Sequence, residues 1–439
     1  MLEELLNSAG QSALEILSLI VLIAMLVHLS FGLFDRGKSA QPLARDPVLS
    51  GANGIRYDFN DGCRVSVPHD AWPWRVRISD EVTGEVLVDE RNPRRMVSTH
   101  RKYHFKARID VWRGQALVLT HCFDALGKLV VIHIDSPALG DTIASMTSIT
   151  RFQKEHACRV VVRMQDTLIQ LFAGMHPSIT FLGYDDVVPS HAYATYVVPY
   201  GRFQDRALAH NPVEFRRVGL LDSPALILGL YGCEGPPPIM LPRQRTVPGR
   251  YVCIAITATS PAKLWLNRDG WPEIVAFMRA IGFRVLCIDT LHWPLVEPLD
   301  LPEGSEDFTG KSLADVCGLL GNADLMIGLS SGLSWLAWAL EVPVVVISGF
   351  TNPKTEFATP YRVINTDVCN SCWNDPAFPL NVGDTCPRHE GTARAFECTR
   401  AISAAQVIAM LKTLPCMIEA VATHDGTMPD HDVDEADTR

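Results

Sequence analysis

Four cysteines lie close together late in the chain. Cys369, Cys372, Cys386 and Cys398 are spaced C-x2-C-x13-C-x11-C. A C-x2-C pair sets two thiolates on one tight turn, aimed at a common centre. Two more thiolates from a returning loop complete a tetrahedral S4 site suited to zinc or iron. The loop itself, VCNSCWNDPAFPLNVGDTCPRHEGTARAFECT, is rich in Asn, Asp, Pro and Gly and brings little apolar material of its own. It needs a cross-link to be ordered, and the spacing predicts one structural metal ion. Two disulfides or four unrelated thiols are the competing readings. Disulfides are rare in the cytoplasmic setting that the rest of the chain suggests.

Three other constellations could do chemistry. SPALGDT, Ser136 to Thr142, joins a strand to a helix, where open α/β sheets bind ligands. Asp141 there reads either as a helix cap or as a general base. TATSPAKLW, Thr257 to Trp265, offers Ser260 and Lys263, the lysine being either a solvated loop residue or a point charge on a diphosphate. IGLSSGLSWLAWAL, Ile327 to Leu340, runs from a strand through Ser330, Ser331 and Gly332 into a helix. Small residues and free N–H groups in a first helical turn favour an anion such as a diphosphate. The same residues match G-x-S-x-G, a hydrolase elbow with Ser330 as nucleophile. That reading needs a histidine downstream, and His389, His424 and His431 lie in the cysteine loop or near the acidic tail.

Residues of these kinds need elements to hold them. From Gly54 to Lys128 the pattern is short and alternating, with RVSVP, WRVRISD, EVLVDE, KYHFKARIDVW and ALVLTHCFD as strands. This predicts a small antiparallel, barrel-like β domain over residues 54–128. At Leu129 apolar runs begin to alternate with helical stretches: LVVIHID, CRVVVRM, ITFLGYD and YATYVVPYG are strands of a doubly wound sheet over 129–232. GCEGPPPIMLPRQRTVPG reads as a linker. A second alternation fills 250–415, with YVCIAIT, RVLCIDT, DLMIGL and VPVVVISG as strands and a closing helix near Ser403 to Leu414. The cysteine loop, 367–399, falls inside it. Two Rossmann-like domains facing a cleft make a GT-B type α/β enzyme.

The rest bounds the function. The chain has 439 residues and a net charge of −10, with no basic stripe, so a nucleic-acid partner is not expected. G-x-G-x-x-G and G-x4-G-K-[ST] are both missing, which disfavours a nicotinamide dehydrogenase and a P-loop NTPase. Asp-x-Asp occurs only in the acidic tail, 416–439, which disfavours a metal-dependent GT-A transferase. Within the segment 1–53, the apolar run Ile16 to Phe34 is just long enough to span a bilayer. Arg36, Lys38 and Arg45 follow it, so a span would leave the C-terminal bulk in the cytoplasm. A peripheral segment and a misassigned start are the alternatives.

NADLMIGLSSGLSWLAWALEVPVVVISGFTNP resembles the C-terminal signature of glycosyltransferase family 9. Joined to SSGLSW, the four-cysteine loop narrows the likeness to the bacterial autotransporter heptosyltransferases, over most of the chain from Gly54 to about Leu414. The resemblance implies an inverting transfer of heptose from ADP-glycero-manno-heptose to serine hydroxyls of an autotransporter passenger. It implies Asp141 as general base, with Gly140 and Thr142 beside it as donor-binding residues. It implies a donor held near Thr257, Ser260, Lys263, Ser330, Ser331, Gly332 and Leu333. It further implies iron rather than zinc on the four cysteines, and assembly into a ring of twelve subunits. Lipopolysaccharide heptosyltransferases, whose acceptor is a lipid, carry Asp-Thr-Gly where this chain has Ser330, Ser331 and Gly332.

Overall fold

A computed structural model of the chain describes residues 45–199, 209–232, 235–240, 245–289, 300–378 and 385–418. The apolar run 16–34 and most of the acidic tail lie outside them. Among the described residues no helix is long and apolar enough to cross a membrane. The described residues from Asp46 onward form one compact unit.

Eight strands open that unit: β1 Leu49–Ser50, β2 Arg56–Asn60, β3 Arg64–Ser66, β4 Trp74–Asp80, β5 Val86–Arg91, β6 Val97–Ser98, β7 Ala107–Arg113 and β8 Ala116–Cys122. They do not close a barrel. Four of them make an open antiparallel sheet in the order β5-β4-β7-β8. Its inward face is the alternate set Trp74, Val76 and Ile78 of β4 against Ile109 and Val111 of β7. The edge strand β5 is exposed and charged, and Asp89 on it pairs with Arg75 and Arg77. Such charge discourages pairing with another chain.

The other opening strands belong elsewhere. β9 Leu129–Ile134, β10 Arg159–Arg163, β11 Ile179–Leu182 and β12 Ala194–Val198 form a parallel sheet, and β2 joins it by pairing parallel with β12. The order is β11-β10-β9-β12-β2-β3-β6, with β1 on β2. A buried ion pair anchors the addition: Asp58, fully buried, meets Arg64 at 2.6 Å and also takes the Asn60 amide at 2.9 Å. The change of pattern at Leu129 is therefore not a boundary between sheets. The helix after β9 is α1, Leu139–His156, and its Met146, Ile149 and Phe152 pack on the sheet.

The second half is wholly parallel. β13 Tyr251–Ile254, β14 Arg284–Cys287, β15 Glu306–Asp307, β16 Leu325–Leu329, β17 Val344–Ile347 and β18 Arg362–Val363 lie in the order β15-β14-β13-β16-β17-β18. Every residue of β13, β16 and β17 is buried, as continuous Val, Ile and Leu runs require. α2, Gly332–Ala339, follows β16, and α3, Ala404–Leu411, closes the half behind a Ser403–Gln406 capping box. Leu414 and Met417 are fully buried in the same core, so the packed fold runs past residue 415. The linker is not free-standing: the Pro238 carbonyl lies 2.8 Å from His176 Nε2, and Ile239 is buried against the first half.

Candidate functional site: a crevice between two sheets

α1 and α2 both start at carboxyl ends of strands, and their first turns abut. A Cβ on Gly140 would come within 2.8 Å of the Trp335 ring, and one on Gly332 within 3.0 Å of the Leu139 Cβ. Both glycines allow the two helices to approach, and the core continues from one half to the other through Trp335 and Phe357. This brings Asp141 to the crevice. Asp141 is the third residue of α1, and the cap position is held by Ala138, so the carboxylate is not a helix cap. Its Oδ2 accepts from Ser136 Oγ, a buried hydroxyl that itself accepts from Ala138 N–H at 3.2 Å. Burial raises the Asp141 pKa, against the lowering effects of the Ser136 bond and the Lys263 charge.

Lys263 ends a 3-10 turn, Pro261–Lys263, after β13 and is half-buried. Its charge reaches Asp141 and opposes the upward effect of burial on that carboxyl. Ser260 is half-buried at the start of the same turn. Thr257 faces inward: its hydroxyl donates to the buried Asp289 at 2.6 Å and its N–H bonds to the same carboxylate. Thr142 is fully buried and its hydroxyl donates to the Ala138 carbonyl at 2.9 Å, so it faces the helix and not the crevice. Ser331, Gly332 and Leu333 are half-buried at the start of α2, and the Ser331 side chain makes no capping bond. The N–H groups of such a first turn have no partner within the helix.

Ser330 does not act as a nucleophile here. It is buried, and its hydroxyl donates to Glu356 Oε1 and not to a histidine. Glu356 also accepts from Thr351 Oγ1 at 2.7 Å and meets Arg362 at 2.9 Å, with both charged side chains out of water. Thr351 is in turn 2.7 Å from Ser348 Oγ. This network ties the ends of β16 and β17 to β18. A lone Glu and a lone Arg in a loop read as solvated residues in the sequence, so Glu356 and Arg362 carried no signal. Among the described residues the Ser330 hydroxyl has a glutamate and not a histidine as its partner, which does not suit the hydrolase reading.

The four cysteines share one finger. All are free thiols, and Cys372, Cys386 and Cys398 are buried. They lie within one another's electrostatic reach: burial pushes Cys398 up to about 12, with further upward effects from Cys369, Cys372 and Cys386. Among the described residues, Cys369, His389 and Glu397 put ligand atoms within 4.8 Å of one another. Reduced thiols near one another, with an imidazole and a carboxylate beside them, suit a soft or borderline metal ion such as iron or zinc.

Two α/β sheets, the first mixed and the second wholly parallel, thus bring a desolvated carboxylate and a lysine to the carboxyl ends of their parallel strands. The family model of glycosyltransferase family 9 (heptosyltransferase) matches residues 241–381, and that of the glycosyltransferase TibC N-terminal domain matches 51–115. The chain is 38% identical to the Escherichia coli autotransporter heptosyltransferase Aah over 380 residues, 84% of this chain and 95% of that one. It is equally identical, 38% over 395 residues, to the inactive autotransporter heptosyltransferase BimC of Burkholderia thailandensis, covering 88% and 91%. The crystal structure of the iron-containing dodecameric glycosyltransferase TibC from enterotoxigenic E. coli superposes with a TM-score of 0.80 at 37% identity, covering 87% of this chain and all of TibC. A second TibC structure, in complex with ADP-D-β-D-heptose, gives 0.79, again at 37% identity, covering 88% of this chain and all of TibC. The chain belongs to the autotransporter heptosyltransferases of glycosyltransferase family 9.

Proposed function

We propose that this protein is an inverting O-glycosyltransferase moving heptose from ADP-glycero-manno-heptose to serine hydroxyls of an autotransporter passenger in the cytoplasm. The observation that carries it is Asp141, a desolvated carboxylate within reach of the Lys263 charge at the meeting of two helix N-termini. Asp141 takes the proton of the acceptor serine as the serine oxygen attacks the anomeric carbon. The bond to the β-phosphate oxygen breaks, and ADP leaves with the electron pair. Lys263 and the N–H groups of Gly332 and Leu333 stabilise that charge. Ser260 lines the same turn, while Gly140, Thr142, Thr257 and Ser330 shape the site from behind. A lipid acceptor is the weaker reading, since the relatives over most of the chain are autotransporter enzymes.

The four thiols, as thiolates, would hold one iron ion, which keeps the loop folded and takes no part in the transfer. The likeness to a dodecameric relative supports assembly into a ring. BimC sets the competing reading, a family member that keeps the fold without turnover. Against it stands Asp141, a desolvated carboxylate that the Lys263 charge reaches. The deciding experiment is intact-mass analysis of a passenger fragment after incubation with the protein and ADP-heptose. Added heptose units establish the transferase. An unmodified fragment with no ADP released places the protein with the inactive members.

A further inference from the structure

The cysteine finger touches both arms of the donor cradle. On the first arm, Cys372 and Phe350 bury against Ala262, the residue before Lys263, with Trp373, Phe378 and Phe396 packed around them. On the second, the finger lies flat on the segment that leaves β17. Ser371 N–H donates to the Gly349 carbonyl at 2.8 Å and Trp373 N–H to the Phe350 carbonyl at 3.1 Å. A Cβ on Gly349 would overlap the Cys398 carbonyl, so only glycine lets the two backbones lie so close.

One carboxamide then joins three segments. Asn374, two residues beyond Cys372, accepts at Oδ1 from Asn352 N–H at 2.9 Å. Its Nδ2 donates to Thr355 Oγ1 at 2.9 Å and to the Arg216 carbonyl of the first half at 3.0 Å. Arg216 is buried and returns its guanidinium to the Phe378 carbonyl of the finger at 2.7 Å. Thr355 also holds the first half directly, its carbonyl accepting from Leu220 N–H at 2.9 Å. The next residue is Glu356, whose carboxylate fixes Ser330 at the entrance to α2. The path from finger to cradle is therefore Asn374, the 352–355 turn, Glu356 and Ser330, with every step a hydrogen bond or a peptide link.

We propose that Asn374 is a positioning residue through which the cysteine finger sets the affinity of the cradle for a nucleoside diphosphate. The finger is then a wall of the donor site as well as a folding device. This rests on the transferase reading, because it takes ADP as the ligand of the cradle. A carboxamide making three bonds at a half-buried junction is hard to replace, since removing it leaves the Asn352 N–H and the Arg216 carbonyl without their partner.

The test is calorimetric titration of ADP into the purified metal-loaded protein and its variants. Metal content and unfolding temperature are measured on the same samples. Asn374→Ala should weaken ADP binding, and raise the KM for ADP-heptose, about tenfold, with kcat changed about twofold at most and the metal content as in wild type. Asn374→Asp keeps the acceptor toward Asn352 and toward the Thr355 hydroxyl and loses the donor toward the Arg216 carbonyl, so it should fall between. Glu356→Gln reads the same path from its other end and replaces Asn374→Ala should that variant not fold. ADP affinity equal to wild type in the folded Asn374 variants overturns the proposal and leaves the transferase reading intact. A wild-type protein that does not bind ADP overturns both.

Discussion

The two arms of the crevice are held by opposite means. The arm that carries Asp141 is set by apolar packing: a glycine under an indole, a helix pressed on Val and Ile strands, and one carboxylate with one hydroxyl beside it. The arm that carries the cradle is set by buried polar groups: Glu356 with Arg362, Ser330 and Thr351, and Asp289 with Thr257. A general base gains from dry surroundings that keep it basic. An anion cradle gains from donors that cannot reorient, and buried hydrogen-bond networks supply that rigidity. The same fold thus uses desolvation on one side of the crevice and preorganised polarity on the other.

Asp141→Asn should break the first arm most severely, because it keeps the shape and removes the proposed base. Turnover should fall about 10²–10⁴-fold with ADP binding retained, as read by intact mass and calorimetry. In the wild type the acid limb of kcat/KM should lie above the value of a free aspartate, ~3.9, since burial raises the pKa; activity falls as pH drops through it. Near-normal turnover in the variant would move the proton transfer to another group.

Glu356→Leu should do to the second arm what no apolar change does to the first. It leaves Arg362 buried without a counter-charge, a loss of about 3–5 kcal/mol in chemical denaturation. Glu356→Gln should lose clearly less. A smaller effect, about 1–3 kcal/mol, is expected of Gly140→Ala, whose new methyl meets Trp335. If Gly140→Ala destabilises as much as Glu356→Leu, the contrast between the arms fails.

The last effect is a pH dependence that arises in the first half. Burial lowers His104 to about 3 and His133 to about 4, so both stay neutral in the fold. A free histidine titrates near ~6.5, so below that pH the unfolded chain takes protons that the native one refuses. Stability contributed by these neutral rings should be lost as pH falls from about 6.5 toward 4, and thermal unfolding followed across that range measures it.

Much of this was legible in the residues. The strands LVVIHID, YVCIAIT, DLMIGL and VPVVVISG fall where continuous apolar runs put them, because a parallel strand buried on both faces has no polar side to hide. Asp141, Lys263 and the helix after Ser331 come to one crevice because strand ends in such sheets do. Thr142 and Thr257 could not be told from ligand contacts, since a hydroxyl looks the same whether it faces a crevice or a neighbouring carbonyl or carboxylate. Glu356, Arg362 and Asn374 were illegible for a different reason. Their meaning lies in partners that only the tertiary fold brings together, and single polar residues in loops have no period. The pairing of β2 with β12 left no mark either, because RYDFN is short and its charge is cancelled by an ion pair rather than by sequence pattern.

That last pairing also sets an order of events during synthesis. Asn60 donates to the Ala192 carbonyl, 132 positions later in the chain. At ordinary translation speeds the first strands wait on the order of ten seconds before the strand that receives them leaves the ribosome. During that interval β2 has its antiparallel partners β1 and β3 but one edge without β12, while the β5-β4-β7-β8 sheet already has all its members. Residues 49–122 of the nascent protein are thus a finished four-stranded sheet beside a small ribbon, β1-β2-β3-β6, that keeps one open edge until β12 arrives to cover it.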